Sequence, residues 1–130
     1  MYLLDTNTLV YFFKGFGNVA EMLFSKSPKD IATSSITLYE LEVGIAKSNN
    51  PQKRKKQLES FVSRITILPF SSKEAEASAK IRAELENQGT PMGPLDNLIA
   101  GTAFSCNAIL VTHNTKEFSR VEGLTIEDWF

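Results

Sequence analysis

Four short apolar runs, each followed by a helical pattern, set the strongest limit on how this chain can fold. They are YLLD (2–5), DIATS (30–34), ITILP (65–69) and AILVT (108–112). Runs this short and apolar suit strands buried on both faces, as in a parallel sheet. The intervening stretches read as helices. TNTLVYFFKG begins at a Thr/Asn cap and stops at Gly15, and NVAEMLFSK opens on Asn18 and ends before Pro28. SSITLYELEVGIAKS forms a largely apolar helix, and Pro51 opens the next, PQKRKKQLESFVSRI. SSKEAEASAKIRAELENQG is rich in strong helix formers, with a Ser cap and Gly89 at its end. Pro94 and Asp96 open a helix reaching about Cys106, and LTIEDW (124–129) adds a final edge strand. Strands alternating with helices predict an α/β fold, a central and mainly parallel sheet of four or five strands between helical layers.

No repeat or linker divides the 130 residues, which suit a single domain. The net charge of -1 argues against attachment to nucleic acid by overall charge, so any such contact needs a local basic patch. The longest basic run, KRKK (53–56), reads first as a solvated helix face. Cys106 is the only cysteine, which denies the chain an internal disulfide and favours a reducing compartment. No apolar run approaches the ~18 residues of a membrane helix. MYLLD carries neither a basic region nor a cleavage site, so a cytoplasmic protein without a membrane partner is expected.

The acids carry the chemistry. Ligands of parallel α/β sheets bind outside the carboxyl ends of the strands. Asp5 closes the first strand, and Thr112 with HNTKEF follows the last core strand, so Asn114 and Glu117 belong to the same side. Asp96 reaches that side if the Gly/Pro-rich GTPMGP brings the chain back to it. Taken singly, Asp5 and Asp96 read as helix caps. Glu40 does not, because it lies inside an apolar helix. Carboxylates brought together repel one another unless a cation, a proton or a basic residue compensates. A hard divalent cation prefers oxygen ligands, which suits Mg²⁺, and Mn²⁺ on the same ligand logic. Zinc would have His113 and Cys106 as its only nitrogen and sulfur ligands. Carboxylates around such an ion suit phosphodiester hydrolysis, and the lone His113 denies the chain a histidine acid–base pair.

LDTNTLVYFFKG, SSITLYELEVGIAKS, IRAELENQGTPMGPLDNLIAG and ILVTHNTKEFSRVEGLTIEDW together resemble the VapC-type toxins of bacterial toxin–antitoxin systems, which are PIN-domain ribonucleases. The resemblance runs from the first strand to the final tryptophan. It implies a single PIN domain over residues 1–130, an α/β/α sandwich that dimerises and is silenced by a VapB-type antitoxin in a larger complex. It further implies an endoribonuclease using Mg²⁺ or Mn²⁺. Carried over by position, Asp5 and Asp96 become the principal metal ligands, Glu40 the third acid and Glu117 a fourth acting through water. Thr6 and Thr112 match small hydroxyl positions that orient the ligands. Asn114 stands where many PIN domains carry an aspartate. The implied reaction is attack by metal-activated water, leaving a 5′-phosphate and a 3′-hydroxyl, with structured RNA as substrate. Transfer RNA is the foremost candidate, in particular the anticodon loop of initiator tRNA. Lys14, Lys47 and Arg82 are candidates for contacting RNA phosphates.

Two readings from other classes compete. A Mg²⁺-binding phospho-acceptor signalling domain shares the length, the sheet and acids at strand ends, but normally pairs two acids after the first strand and uses a lysine after the last. This chain has Asp5 alone at the first strand, and Lys116 is displaced from the last. A catalytically idle binding module would merely sequester a partner, and substitution of its acids would leave its toxicity unchanged.

Overall fold

Leu3 and Leu4 are both wholly buried although their side chains point to opposite faces of one strand, so the sheet has cover on both sides. The computed structural model describes residues 1–130. Its strands are β1 (Tyr2–Leu4), β2 (Ile31–Ser34), β3 (Thr66–Leu68), β4 (Ile109–Val111) and β5 (Ile126–Glu127), in the spatial order β3-β2-β1-β4-β5. Every pairing is parallel, with Tyr2 opposite both Ile31 and Ile109, and Leu4 opposite Val111.

The helices are α1 (Thr6–Lys14), α2 (Val19–Phe24), α3 (Ser35–Ala46), α4 (Pro51–Val62), α5 (Ser72–Asn87), α6 (Pro94–Ser105) and the single turn α7 (Thr115–Phe118). Alternation along the strands sorts them into layers. Leu3, Ala32 and Leu110 face α5 and α6, meeting Ile81, Leu85, Ile99 and Phe118. Leu4, Ile31 and Val111 face the other way, onto Leu9, Leu23, Leu41 and Leu58 from α1 to α4, with Trp129. Each such fully buried aliphatic contributes about 2 kcal/mol. The expected α/β/α sandwich with a parallel five-stranded sheet is present.

Local chemistry fixes the helix ends. Asp5 caps α1 by accepting from the Thr8 N–H at 2.9 Å, and Ser34 caps α3 through the Thr37 N–H at 3.0 Å. Gly15 ends α1 with φ 73, a left-handed turn that glycine takes without a Cβ penalty. Glu74 starts α5 by accepting from both the backbone N–H and the hydroxyl of Ser71 at 2.8 Å. α5 and α6 then pack with almost no gap. A Cβ at Gly101 would fall 1.8 Å from Ser78 Oγ, and Asn97 Nδ2 donates to the Ser78 carbonyl at 2.9 Å.

Three details differ from the sequence reading. HNTKEF holds the α7 turn, anchored by the wholly buried Phe118, where a polar loop is expected. A 3₁₀ turn at Pro28–Asp30 precedes β2, and the last strand shrinks to Ile126–Glu127. No helix is long and apolar enough to cross a membrane.

Candidate active site

The first strand lies between β2 and β4, so the sheet order reverses beside it. This is where α/β sheets leave a crevice at their carboxyl ends. Asp5 follows β1 directly, and Thr112 follows β4. Glu40 comes from the second turn of α3, which starts at the end of β2. α6 runs back against β4, so its first turn, with Asp96 after Gly93 and Pro94, lies at the same rim. Glu117 arrives on α7.

The charges of these acids act on one another across the rim. The Asp96 carboxyl is pushed up to about 6, first by burial and then by the negative charges of Asp5, Glu40 and Glu117. Its place in the first turn of a helix would by itself favour the ionised form, so burial and repulsion outweigh the helix. Asp5 is 4% exposed, and burial likewise raises its pKa; hydrogen bonds from Thr112 and Thr8 oppose the rise, while Glu40 adds repulsion. Unlike Asp5, Asp96 makes no capping bond, so capping does not account for it.

Neutral groups hold the carboxylates in place. Thr6 Oγ1 donates to Glu40 Oε1 at 2.6 Å and lies 3.2 Å from Thr37 Oγ1. Asn114 Nδ2 donates to Glu117 Oε2 at 3.1 Å. Thr112 Oγ1 accepts from the Asn114 N–H at 3.0 Å, which leaves its own proton for Asp5. Thr8 Oγ1 donates to the Val111 carbonyl at 3.1 Å, tying α1 to β4.

None of the four acids is in an ion pair. The ion pairs are Lys55–Glu42, Lys80–Glu76, Arg82–Glu86 and His113–Asp128. The acids do not close into a chelate of three. Their donor set is all oxygen and strongly negative, with no basic partner, and that fits a hard cation that keeps several of its waters. Asp5, Asp96 and Glu40 could each lend an oxygen to such an ion, although no three of them gather closely enough to chelate it.

The proposed RNA-contacting lysines and arginine scatter. Lys14, at the end of α1, lines a cleft that also includes Thr6 and Glu40. Lys47 sits at the far end of α3, about 10 Å along the axis from Glu40 at 1.5 Å per residue. Arg82 lies on the exposed face of α5, bonded to Glu86 at 2.8 Å. Thr8 and Thr37 escape the sequence reading, and Arg54 enters it only as one member of the KRKK run. Thr8 is visible only as the partner three residues after a capping aspartate, and Thr37 only by the same spacing after Ser34.

Comparison with known proteins agrees with this geometry. The model of the PIN domain family matches residues 2–124. The chain is 42% identical over 128 residues to the tRNA(fMet)-specific endonuclease VapC of Shigella flexneri, covering 98% of this chain and 97% of that one. Among solved structures it is similar to VapBC2 from Rickettsia felis bound to a promoter DNA fragment, with TM-score 0.92, 39% identity, and 99% and 98% of the two chains covered. DNA-bound VapBC from Salmonella typhimurium matches with the same TM-score, identity and coverage.

Proposed function

Given that this chain belongs to the PIN-domain family, as a VapC-type toxin ribonuclease, we propose that it is a Mg²⁺-dependent endonuclease of tRNA, with initiator tRNA as its substrate. The observation that supports the site assignment is Asp96, its carboxyl raised to about 6 among three other acids with no basic side chain paired to any of them. Such a cluster calls for a cation. Asp5 and Asp96 would hold it, with Glu40 beside them and Glu117 reaching it through water. A divalent ion so held supplies an acidified water and stabilises charge on the phosphate.

The chain's own groups do the rest. Thr6 keeps Glu40 turned toward the crevice, and Thr112 steadies Asp5 against the repulsion of its neighbours. Asn114 holds Glu117 at the rim, where its carboxylate can accept a proton from the attacking water. In the net reaction water oxygen bonds to phosphorus and the P–O3′ bond breaks. The 3′ oxygen takes a proton and the 5′-phosphate remains.

A VapB-type antitoxin neutralises the protein in this reading, as the VapBC complexes among its structural relatives suggest. Exposed Phe24 on α2 and Tyr39 on α3 offer apolar surface for the antitoxin and for a second copy of the chain. The phospho-acceptor alternative is disfavoured by topology. In those domains the first strand lies between the second and third, whereas here it lies between β2 and β4.

The test is incubation of purified protein with initiator tRNA and Mg²⁺, followed by end sequencing. One dominant cut bearing a 5′-phosphate is expected, and Asp96→Asn should abolish it with the fold intact. A folded parent protein that leaves every tRNA whole in Mg²⁺ and Mn²⁺ would overturn the reading.

A further inference from the structure

The KRKK run is divided by its surroundings. The Lys55 ammonium is paired with Glu42, and Lys55 and Lys56 line a shallow depression together with Glu42 and Glu59. Arg54 faces elsewhere. With Gln57 and Leu58, three and four residues on and so on the same side of α4, it walls the cleft that contains Thr6, Lys14 and Glu40.

This cleft holds about 140 Å³ and is bounded by α1, α3 and α4. Thr6 and Lys14 mark its extent along α1, about 12 Å at 1.5 Å per residue. Thr6 and Glu40 meet at its acidic end; Lys14 stands at the far end of the α1 wall, its ammonium 5.8 Å from the Phe16 ring centroid, and Arg54 stands on the α4 wall, neither of them in an ion pair. Between them the wall is apolar, with Val10 and Phe13. The floor includes Gly44, in the interior of α3, where an added Cβ would meet nothing within 4 Å. Glycine inside a helix is less favourable than alanine, and here no neighbour requires it. What its missing side chain leaves is open space.

We propose that this cleft holds the RNA backbone flanking the cleaved phosphate, with Arg54 and Lys14 contacting a neighbouring phosphate and Gly44 leaving room for its ribose. The inference rests on the nuclease reading. Acids that gather a cation also repel the rest of the polyanion, and two cationic side chains without an acidic partner in the same cleft offset that repulsion. The spacing of Lys14 from Thr6 suits the next phosphates along the strand rather than the one being cut. Arginine's planar fork matches phosphate oxygens in pairs.

The test is steady-state cleavage of initiator tRNA at several salt concentrations. Arg54→Gln and Lys14→Gln should each raise KM by about five- to tenfold with kcat near the parent's, and flatten the salt dependence of binding by about one phosphate contact. Gly44→Leu should raise KM without changing charge, while melting at or above the parent's temperature. Lys56→Gln should leave KM within about twofold. Parental KM and salt slope in both Arg54→Gln and Gly44→Leu would overturn the inference while leaving the nuclease reading standing. Variants that cleave like the parent but escape a bound antitoxin would assign the cleft to that partner, and also overturn it. A parent protein that cuts no tRNA would remove the premise, and the inference with it.

Discussion

Thr6 Oγ1 donates to Glu40 Oε1 at 2.6 Å, joining the first turn of α1 to the middle of α3 across the crevice. Removing the hydroxyl frees Glu40 to swing away from Asp96, whose charge repels it. Thr6→Val should lower kcat/KM by about 10- to 100-fold, the usual cost of losing a group that orients a metal-site carboxylate. Its melting temperature should stay within a few degrees of the parent's, because Thr6 is only half-buried. Thr6→Ser should restore most of the activity. Equal activity in Thr6→Val and the parent would show that Glu40 needs no such tether.

Asp96→Asn removes the charge on which three other acids press. Without divalent ions at pH 7 the variant should be more stable than the parent by about 1 kcal/mol, a figure reduced for the solvent that screens a half-exposed group. Cleavage should fall by at least about 10³-fold. Denaturant melts in EDTA, alongside tRNA cleavage, check both halves. A variant less stable than the parent would mean that Asp96 is a structural ligand of the helix end.

The sign of the pH dependence follows from the same group. Its folded pKa, about 6, lies above that of an unfolded aspartate, so the folded protein binds the extra proton. Stability from this group is fully present below about pH 4 and is lost as pH rises to 6. Asp5, also raised by burial, acts in the same direction. The difference between the parent and Asp96→Asn in EDTA should therefore vanish near pH 4 and be complete by pH 7. A gap that grew on acidification would contradict it.

Divalent ions should reverse that penalty. At ten times its dissociation constant Mg²⁺ should add about 1.4 kcal/mol to the parent, several degrees in Tm, and much less to Asp5→Asn or Asp96→Asn. Protons compete for the same oxygens, so the gain should shrink below pH 6. A parent Tm indifferent to Mg²⁺ and Mn²⁺ at tens of millimolar would count against the ligand assignment.

Gly101 tests the support behind Asp96. A methyl there would collide with Ser78 Oγ at 1.8 Å and with the Ser78 backbone Cα at 2.8 Å. Gly101→Ala should cost about 1–3 kcal/mol by forcing α5 from α6. Cleavage should fall as well, because Asn97, beside Asp96, bonds across that same contact. Shortening Ser78 to alanine in the double variant should recover part of the loss.

Much of this was readable in the residues. Strands buried on both faces read as apolar runs whatever they pack against, so YLL, IATS and ILV stand out, while the edge strand TIL, only partly covered, shows through its apolar Ile and Leu. The one-turn α7 did not, since four residues are too few to show a period, and only the burial of Phe118 reveals its anchor. Asp5 was legible at the end of β1. The convergence of Asp96 on it depended on the direction in which residues 88–93 turn, which no periodicity encodes. Nor could KRKK tell which of its members faces the cleft. Adjacent helical residues point about 100° apart, and the partner helices decide which side is covered.

Tyr2 pairs with Ile109, so the middle strand gains its second neighbour only when the chain as far as β4 is available. Asp5 and Glu117 therefore come to one rim only once β4 has paired with β1, and a chain that stops short of β4 has no assembled site. Pairing of such distant segments is also slow compared with local helix formation. The helices that carry Glu40 and Asp96 can therefore form before the sheet that brings those acids to one rim.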